Sequence, residues 1–460
     1  PTWGDVSSSP TFEATADGAI ADGDTIIVQT DGTVTKVATQ INESFARVGS
    51  TDGTLIGSIQ DRYSAASSTQ DNVVVILYRN SSEYLTVKAG YVDNNGHLAL
   101  YSGATETIDG TSAKDYPDIC YDPNTDRFII AYSDKGNSEY GEAMVCQVTV
   151  TGSNTASITR GTSTTFSSTG TVNIKCAYDD SQDKVVITYV EENNSRKLKA
   201  IAATVTGSST NSLSFGSAVE VFSSNAQNSD LVFHSGVNKL VSAWRDTSNG
   251  YGYLRALTLS GTTVTANGSA TNFTAQNTQS IRTAYNVNDA KVVVAYYDDA
   301  GSDHGKMRAA TVDSSGNFSF SSAVTFHSAG TNRIDVGYDK DIKKTLLVYN
   351  QTSNNDAYAQ LIDSSGTNPS VNTGFILSDE SVTNLNLEQK VIVQAYDVTA
   401  RMLVFARESQ NQSSAHMSVT TVKTGDTGSN VTVDNFVGIS NGAYSNGQTA
   451  TIQTFGAVDD

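Results

Sequence analysis

Tyr121-Asp122-Pro123-Asn124-Thr125-Asp126-Arg127-Phe128-Ile129-Ile130-Ala131-Tyr132 returns almost position for position as Tyr178-Asp179-Asp180-Ser181-Gln182-Asp183-Lys184-Val185-Val186-Ile187-Thr188-Tyr189. Each copy opens on an aromatic residue and an aspartate, whose carboxylate can hold a tight turn by accepting backbone N–H groups just ahead of it. A basic residue follows, then an unbroken run of β-branched and aliphatic residues that suits a strand covered on both faces. The frame continues downstream: Phe233 leads to Trp244, Tyr285 to Tyr296 and Tyr338 to Tyr349, each eleven positions apart. Two divergent copies flank these, Tyr63 to Tyr78, read as a longer turn, and Tyr396-Asp397 to Phe405, read as a shorter one. Terminal repeats commonly deviate in this way. The leading aromatics fall at 63, 121, 178, 233, 285, 338 and 396, in steps of 52 to 58 residues.

Each repeat reads as four strands. The first ends at the aromatic-Asp pair, and the second is the aliphatic run, as in Lys291-Val292-Val293-Val294-Ala295-Tyr296. The third alternates, as in Met307-Arg308-Ala309-Ala310-Thr311-Val312, and enters a turn at Asp313-Ser314-Ser315-Gly316. The fourth is looser and runs from Phe318 to Phe326. A β-solenoid would need shorter parallel rungs, and a sandwich would need no strict period. A unit of about 50 residues with four antiparallel strands is a propeller blade. The expected fold is therefore all-β: a seven-bladed β-propeller of four-stranded antiparallel blades over residues 51–424, with the first strand of each blade nearest the central channel.

Composition agrees. The chain has 460 residues, 38% of them hydrophobic and only 17% charged, which suits many short strands joined by polar turns. The formal charge of −19 argues against a nucleic-acid partner and against anionic membranes, because a surface of that sign repels phosphate. No apolar stretch is long enough to span a bilayer as a helix. The start, Pro1-Thr2-Trp3-Gly4-Asp5, lacks a basic region and an apolar core, so no signal peptide is read there. It fits either synthesis in a cytoplasm, after loss of an initiator Met, or a trimmed chain. Cys120, Cys146 and Cys176 cannot all pair within one chain and show no CxxC spacing, so they are expected as buried free thiols. The offsets of Cys120 and Cys176 from their repeat tyrosines differ, which places them on opposite faces of their strands.

Residues 1–50 and 425–460 do not follow the repeat. Ala19-Ile20-Ala21-Asp22-Gly23-Asp24-Thr25-Ile26-Ile27-Val28-Gln29-Thr30-Asp31-Gly32-Thr33-Val34 reads as two strands around a Thr-Asp-Gly turn. Asn435-Phe436-Val437-Gly438-Ile439-Ser440 and Thr449-Ala450-Thr451-Ile452-Gln453-Thr454-Phe455-Gly456 read as two more strands, joined through Asn441-Gly442 and Asn446-Gly447. The pairing of these two segments resembles the small β-barrel modules of bacteriophage virion proteins, including head-decoration proteins and parts of tail fibres. The likeness covers about a tenth of the chain and is carried by Gly, Asp and alternating apolar positions. It implies a barrel-like module, split between the chain ends, that attaches to a larger particle. Here the halves stand far apart in sequence, from Val34 to Asn435, a separation that closure of a propeller ring would bridge. The other reading is that the terminal strands complete the first and last blades, and one strand could serve both ends.

Catalytic signals are sparse. His97, His234, His304, His327 and His416 fall at unlike places in the repeat and form no metal-binding spacing. Asp93-Asn94-Asn95-Gly96 and Asp313-Ser314-Ser315-Gly316 lack the further acidic ligands of a calcium loop, and turn geometry accounts for them. No catalytic residue, metal or cofactor is expected. The better candidate is a surface made by the links between second and third strands, rich in amides, acids and occasional aromatics that suit sugars. Its candidate ligand-binding residues are Tyr140, Arg196, Arg245, Asp246, Tyr251, Asp298, Asp299, His304 and Asn354. Trp244 and Tyr296 end buried strands and are read as core.

The leading expectation is a non-enzymatic phage virion structural protein, decorating the capsid or forming part of a tail appendage, homo-oligomeric and partnered with other virion proteins. Decoration is preferred over a fibre because no heptads or long stalk pattern are present. The alternatives are a carbohydrate-binding propeller on a fibre or bacterial surface, with a host glycan as partner, and a glycan-cleaving enzyme. Fold alone does not choose among them.

Overall fold

The computed structural model describes residues 11–49, 54–108, 110–206, 212–300, 302–354, 356–378, 392–394, 401–410, 414–431 and 435–454. The chain divides into two compact units, residues 1–43 with 425–460, and residues 44–424. Among the described residues the fold is all-β and almost wholly antiparallel, with no α-helix.

The fifth repeat shows the anatomy of the larger unit. An inner strand, Thr278–Asn286, pairs with Lys291–Asp298, which pairs with His304–Val312. The fourth position is filled in two pieces, Phe318–Phe320 and the first half of Val324–Asp339. The same break recurs where Thr155–Arg160 and Thr164–Ser167 edge Tyr140–Gly152, and where Thr263–Ala266 and Thr271–Thr274 edge Gly252–Ser260. The looser pattern read for the fourth strand is this break.

At the turns after four of the inner strands, Asp122, Asp179 and Asp339 accept the N–H groups of Asn124, Ser181 and Asp341 at 2.9, 3.0 and 2.9 Å, as Asn286 does from Asn288. A second device was silent in the sequence. Arg62, Tyr116, Asn173, Asn228, Ser280 and Arg333 all take left-handed backbone, with φ between 49° and 58° for five of them and 46° for Tyr116. Each lies in an inner strand where the ladder to the second strand slips register, the signature of a β-bulge.

The inner strands pack in sequence order, from Thr54–Ser67 through Lys114–Asp122, Thr171–Asp179, Ala226–His234, Thr278–Asn286 and Val324–Asp339 to Ile392–Gln394, which packs back on Thr54–Ser67. Thr54–Ser67 also closes the circle by hydrogen bonding. Its first part pairs with Ser414–Ser429 and its second part with Val74–Asn80.

Core residues collect between neighbouring sheets. Phe128, Ile130 and Tyr132 face a cluster shared with the first repeat, whereas Ile129 and Ala131 face one shared with the third. This two-sided burial is why the second strands carry unbroken aliphatic runs, and each such side chain contributes about 1.5–3 kcal/mol. Trp244 and Tyr296 are fully buried in these layers. Cys120 and Cys176 meet in one inter-sheet core because they occupy opposite faces of equivalent strands, and all three cysteines are buried and outside any disulfide.

One register needs correcting. Tyr63 does not head the first repeat in the way Tyr121 heads the second, because Tyr63 lies directly opposite Tyr78, whereas Tyr121 lies opposite Phe128. Ser67, opposite Val74, takes the place of Tyr121, so the turn is of ordinary length and the apparent lengthening came from aligning an aromatic of the wrong position. Tyr396, the leading aromatic of the last repeat, lies outside the described residues.

The smaller unit is one five-stranded sheet built from both chain ends. Its order is Thr11–Thr15, Thr449–Gln453, Phe436–Ser440, Thr25–Val28 and Val34–Lys36. Its core is Ala16, Ile20, Ile26, Val34, Ala450 and Ile452. The Thr-Asp-Gly turn forms as expected, with Asp31 accepting the N–H and hydroxyl of Thr33 at 3.0 and 2.7 Å and Gly32 left-handed at φ 84°.

Candidate functional site

The links between second and third strands are stitched to the segments that join successive repeats. Thr171, Ala226, Thr278 and Thr331 donate their N–H groups to the carbonyls of Glu139, Arg196, Gly250 and Asp303 in the preceding link. Those four acceptors are all left-handed, which turns each carbonyl toward the neighbouring sheet. Glu192, Thr247, Asp299 and Thr352 then donate to Gly170, Asn225, Asn277 and Gly330 in the joining segments.

On this rim eight of the nine candidate residues fall into three groups, and Asn354 stands apart. Tyr140, Tyr251 and His304 each follow a left-handed acceptor and are half-buried, while Arg196 is itself such an acceptor and pairs with Glu192 at 3.2 Å. Asp246 and Asp298 are buried and serve their own links: Asp246 accepts from the N–H and hydroxyl of Ser248, and Asp298 accepts from the Ala300 N–H at 3.2 Å while pairing with Lys306 of the third strand at 2.5 Å. Arg245 and Asp299 are brought together through an amide. Arg245 Nη2 donates to Asn277 Oδ1 at 2.7 Å, and Asn277 Nδ2 donates to Asp299 Oδ2 at 2.7 Å, with Gln279 Nε2 on the same oxygen at 3.0 Å. Asn354 is exposed in a link of another sheet. The rim thus holds one polar network and several separate positions. Burial pushes the Tyr297 phenol behind that network up to about 12, with Asp299 and Asp303 adding to the effect.

A second site lies in the larger unit, in a cavity of about 420 Å³ lined by inner strands of every repeat. Five side chains stand three residues before the inner-strand aromatics: Asp118, Lys175, Asp230, Arg282 and Asp335. Their charges alternate from one strand to the next. Each aspartate also ties its sheet to the following one. Asp118 Oδ2 accepts from Cys176 N–H at 2.9 Å, Asp230 Oδ2 from Thr283 N–H at 2.7 Å, and Asp335 Oδ2 from Ile392 N–H at 2.9 Å. Ser64 Oγ donates to Asp118 Oδ1 at 2.8 Å.

Of the two cations, burial holds the Lys175 ammonium below its usual range, with Asp118 opposing the shift and Arg282 adding to it. Arg282 is 3% exposed; its Nη1 donates to Ile281 O at 2.7 Å and its Nε lies 3.7 Å from Asp335 Oδ1. Its Nη2 has no hydrogen-bond partner among the described residues. The aromatics Tyr121, Tyr178, Phe233, Tyr285 and Tyr338 line the same cavity, one turn-ward step along each strand. Sequence reasoning used these aromatics to find the period but passed over the charged belt, whose signal was a fixed offset of three rather than a shared residue type.

Among the described residues no group of three or more His, Cys, Asp or Glu side chains is placed to hold a metal ion.

No family model and no curated protein sequence matches the chain. Among solved structures it is similar to an arginine-to-alanine triple mutant of AofleA from Arthrobotrys oligospora, at 7% identity and TM-score 0.42, over 76% of this chain and 94% of that one. It is similar to a protein described as a 6-phosphogluconolactonase from Bacteroides uniformis, at 10% identity and TM-score 0.46, over 68% and 85%. It is also similar to the β-propeller domain of Cps50 (Swd1) from Myceliophteria thermophila, at 8% identity and TM-score 0.47, over 86% and 100%.

Proposed function

We propose that the chain is a non-enzymatic structural protein of a bacteriophage particle: a seven-bladed β-propeller displayed by a small barrel-like attachment module. The carrying observation is that the two chain ends build one compact unit together, with Thr11–Thr15 paired along its length to Thr449–Gln453. A module assembled from both ends can hold a large insert whose own ends come close, as ring closure requires. Closure of the propeller is supported by the pairing of Thr54–Ser67 with Ser414–Ser429, and the barrel character of the module by the bridge from Ala16 to Val34, which joins the two edges of its sheet.

The test is protein identification and cryo-electron microscopy on purified particles. The expected result is many symmetric copies, contacting the particle through residues 11–43 and 435–454. Absence of the chain from purified particles would overturn the proposal, and so would contact made through the larger unit alone.

A further inference from the structure

We propose that the inner-strand cavity is a binding site for one unit of a neutral, hydroxyl-rich carbohydrate, held between Asp230 and Arg282 and covered at one end by the inner-strand aromatics. The site is distinct from the rim links and from the terminal module.

Asp230 and Arg282 stand on adjoining inner strands, and the connection between those strands fixes both. Thr283, next in sequence to Arg282, donates its N–H and its hydroxyl to Asp230 Oδ2 at 2.7 and 2.9 Å. The carboxylate is thereby locked against the strand that carries the guanidinium. Its other oxygen, Oδ1, makes no hydrogen bond among the described residues, and Asp230 is the most open of the five belt residues. Arg282 Nη2 is buried and without a hydrogen-bond partner there. A buried guanidinium N–H left unpaired is costly, so the site favours an occupant that accepts from it.

The alternation of charge selects the class of occupant. An anion drawn to Arg282 or Lys175 meets Asp118, Asp230 or Asp335 on the adjoining strands, and a cation drawn to an aspartate meets a base. A sugar hydroxyl avoids both penalties because it donates and accepts at once, so adjacent hydroxyls can serve Asp230 Oδ1 and Arg282 Nη2 together. Phe233 and Tyr285, three residues further along the same two strands, line the same cavity, where their carbon surface can meet the apolar side of a pyranose. The volume of about 420 Å³ falls in the range of small-ligand sites.

The experiment is ligand-observed NMR and calorimetry on the full chain with glucose, galactose, mannose and N-acetylglucosamine, with glucuronate and glucosamine as charged comparators. At least one neutral sugar is expected to bind, and binding should weaken about tenfold or more in both R282M and D230N. It should persist in D299N, which disrupts only the rim network. Y285A provides a variant at the edge of the cavity should R282M fail to fold, and it too should weaken binding. The proposal is overturned if no neutral sugar binds, if folded R282M or Y285A binds as well as the parent chain, if D299N alone abolishes binding, or if a charged comparator binds more tightly than every neutral sugar. None of these outcomes bears on attachment to particles, so the two proposals fail separately.

Discussion

At the scale of single residues, His234 shows how a repeat tolerates an exception. It stands where Asp122, Asp179, Asn286 and Asp339 stand in other repeats, at the end of an inner strand and opposite a lysine. It is 1% exposed and stacked on Tyr285 with ring centroids 4.0 Å apart. Burial holds its imidazole below the ordinary histidine range, as it does for His327. In the unfolded chain the ring takes up a proton near pH 6.5, but in the folded chain it does so only at lower pH. The unfolded state therefore binds more protons in that window, and stability falls as pH drops below about 6.5. Asp179 and Asp339, whose carboxyls burial raises, act in the opposite sense at more acidic pH. The melting temperature is expected to decline between pH 7 and 5.5, with His234 contributing no more than about 1.4 kcal/mol per pH unit. His234→Asn, which installs the residue found at Asn286, should flatten that slope; an unchanged slope in thermal melts would remove His234 as its source.

At the scale of elements, the strands were legible and their irregularities were not. The eleven-residue spacing and the Asp turns mark first and second strands because both depend on a residue type that recurs. The bulge before the charged belt escaped notice because its left-handed position is held by Arg62, Tyr116, Asn173, Asn228, Ser280 and Arg333, which share no chemistry. Only asparagine among these visits that conformation readily. Asn228→Ala is therefore expected to destabilise by about 1 kcal/mol, and Asn228→Gly to be nearly neutral, as read by urea denaturation. Equal losses in both variants would point to the asparagine side chain instead of the backbone. The rim candidates were chosen for chemistry alone. The structure shows that Asp246 and Asp298 are occupied in holding their own links, a role that polarity in a sequence does not distinguish from ligand binding. The Tyr63 register failed for a related reason, since an aromatic was matched to an aromatic without regard to which residue it faces.

At the scale of the whole molecule, the two units differ in what sustains them. The smaller sheet rests on six buried apolar side chains drawn from both ends, among them Ile26 and Ile452, each fully buried. Ile26→Ala is expected to cost about 2–4 kcal/mol and to be felt in that unit first. With Trp3 replaced by Phe, emission from Trp244, which lies in the larger unit, should report a melt that Ile26→Ala leaves unchanged. A shared shift would show that the units unfold together. Both terminal strand pairs were readable from sequence, and so was their union in one module, but the strand order and register of the sheet were not, because that register joins residues more than 400 positions apart.

The stitched rim has a consequence for how such a protein can change. Its loop backbones are tied on both sides by main-chain groups, which every amino acid except proline supplies, and the left-handed acceptors are already a glutamate, an arginine, a glycine and an aspartate. Apart from those that hold their own links, such as Asp246 and Asp298, side chains there can be exchanged without breaking these main-chain ties. The rim is thus a board of interchangeable facets, on which new recognition can be drafted by point substitution while the architecture beneath stays the same.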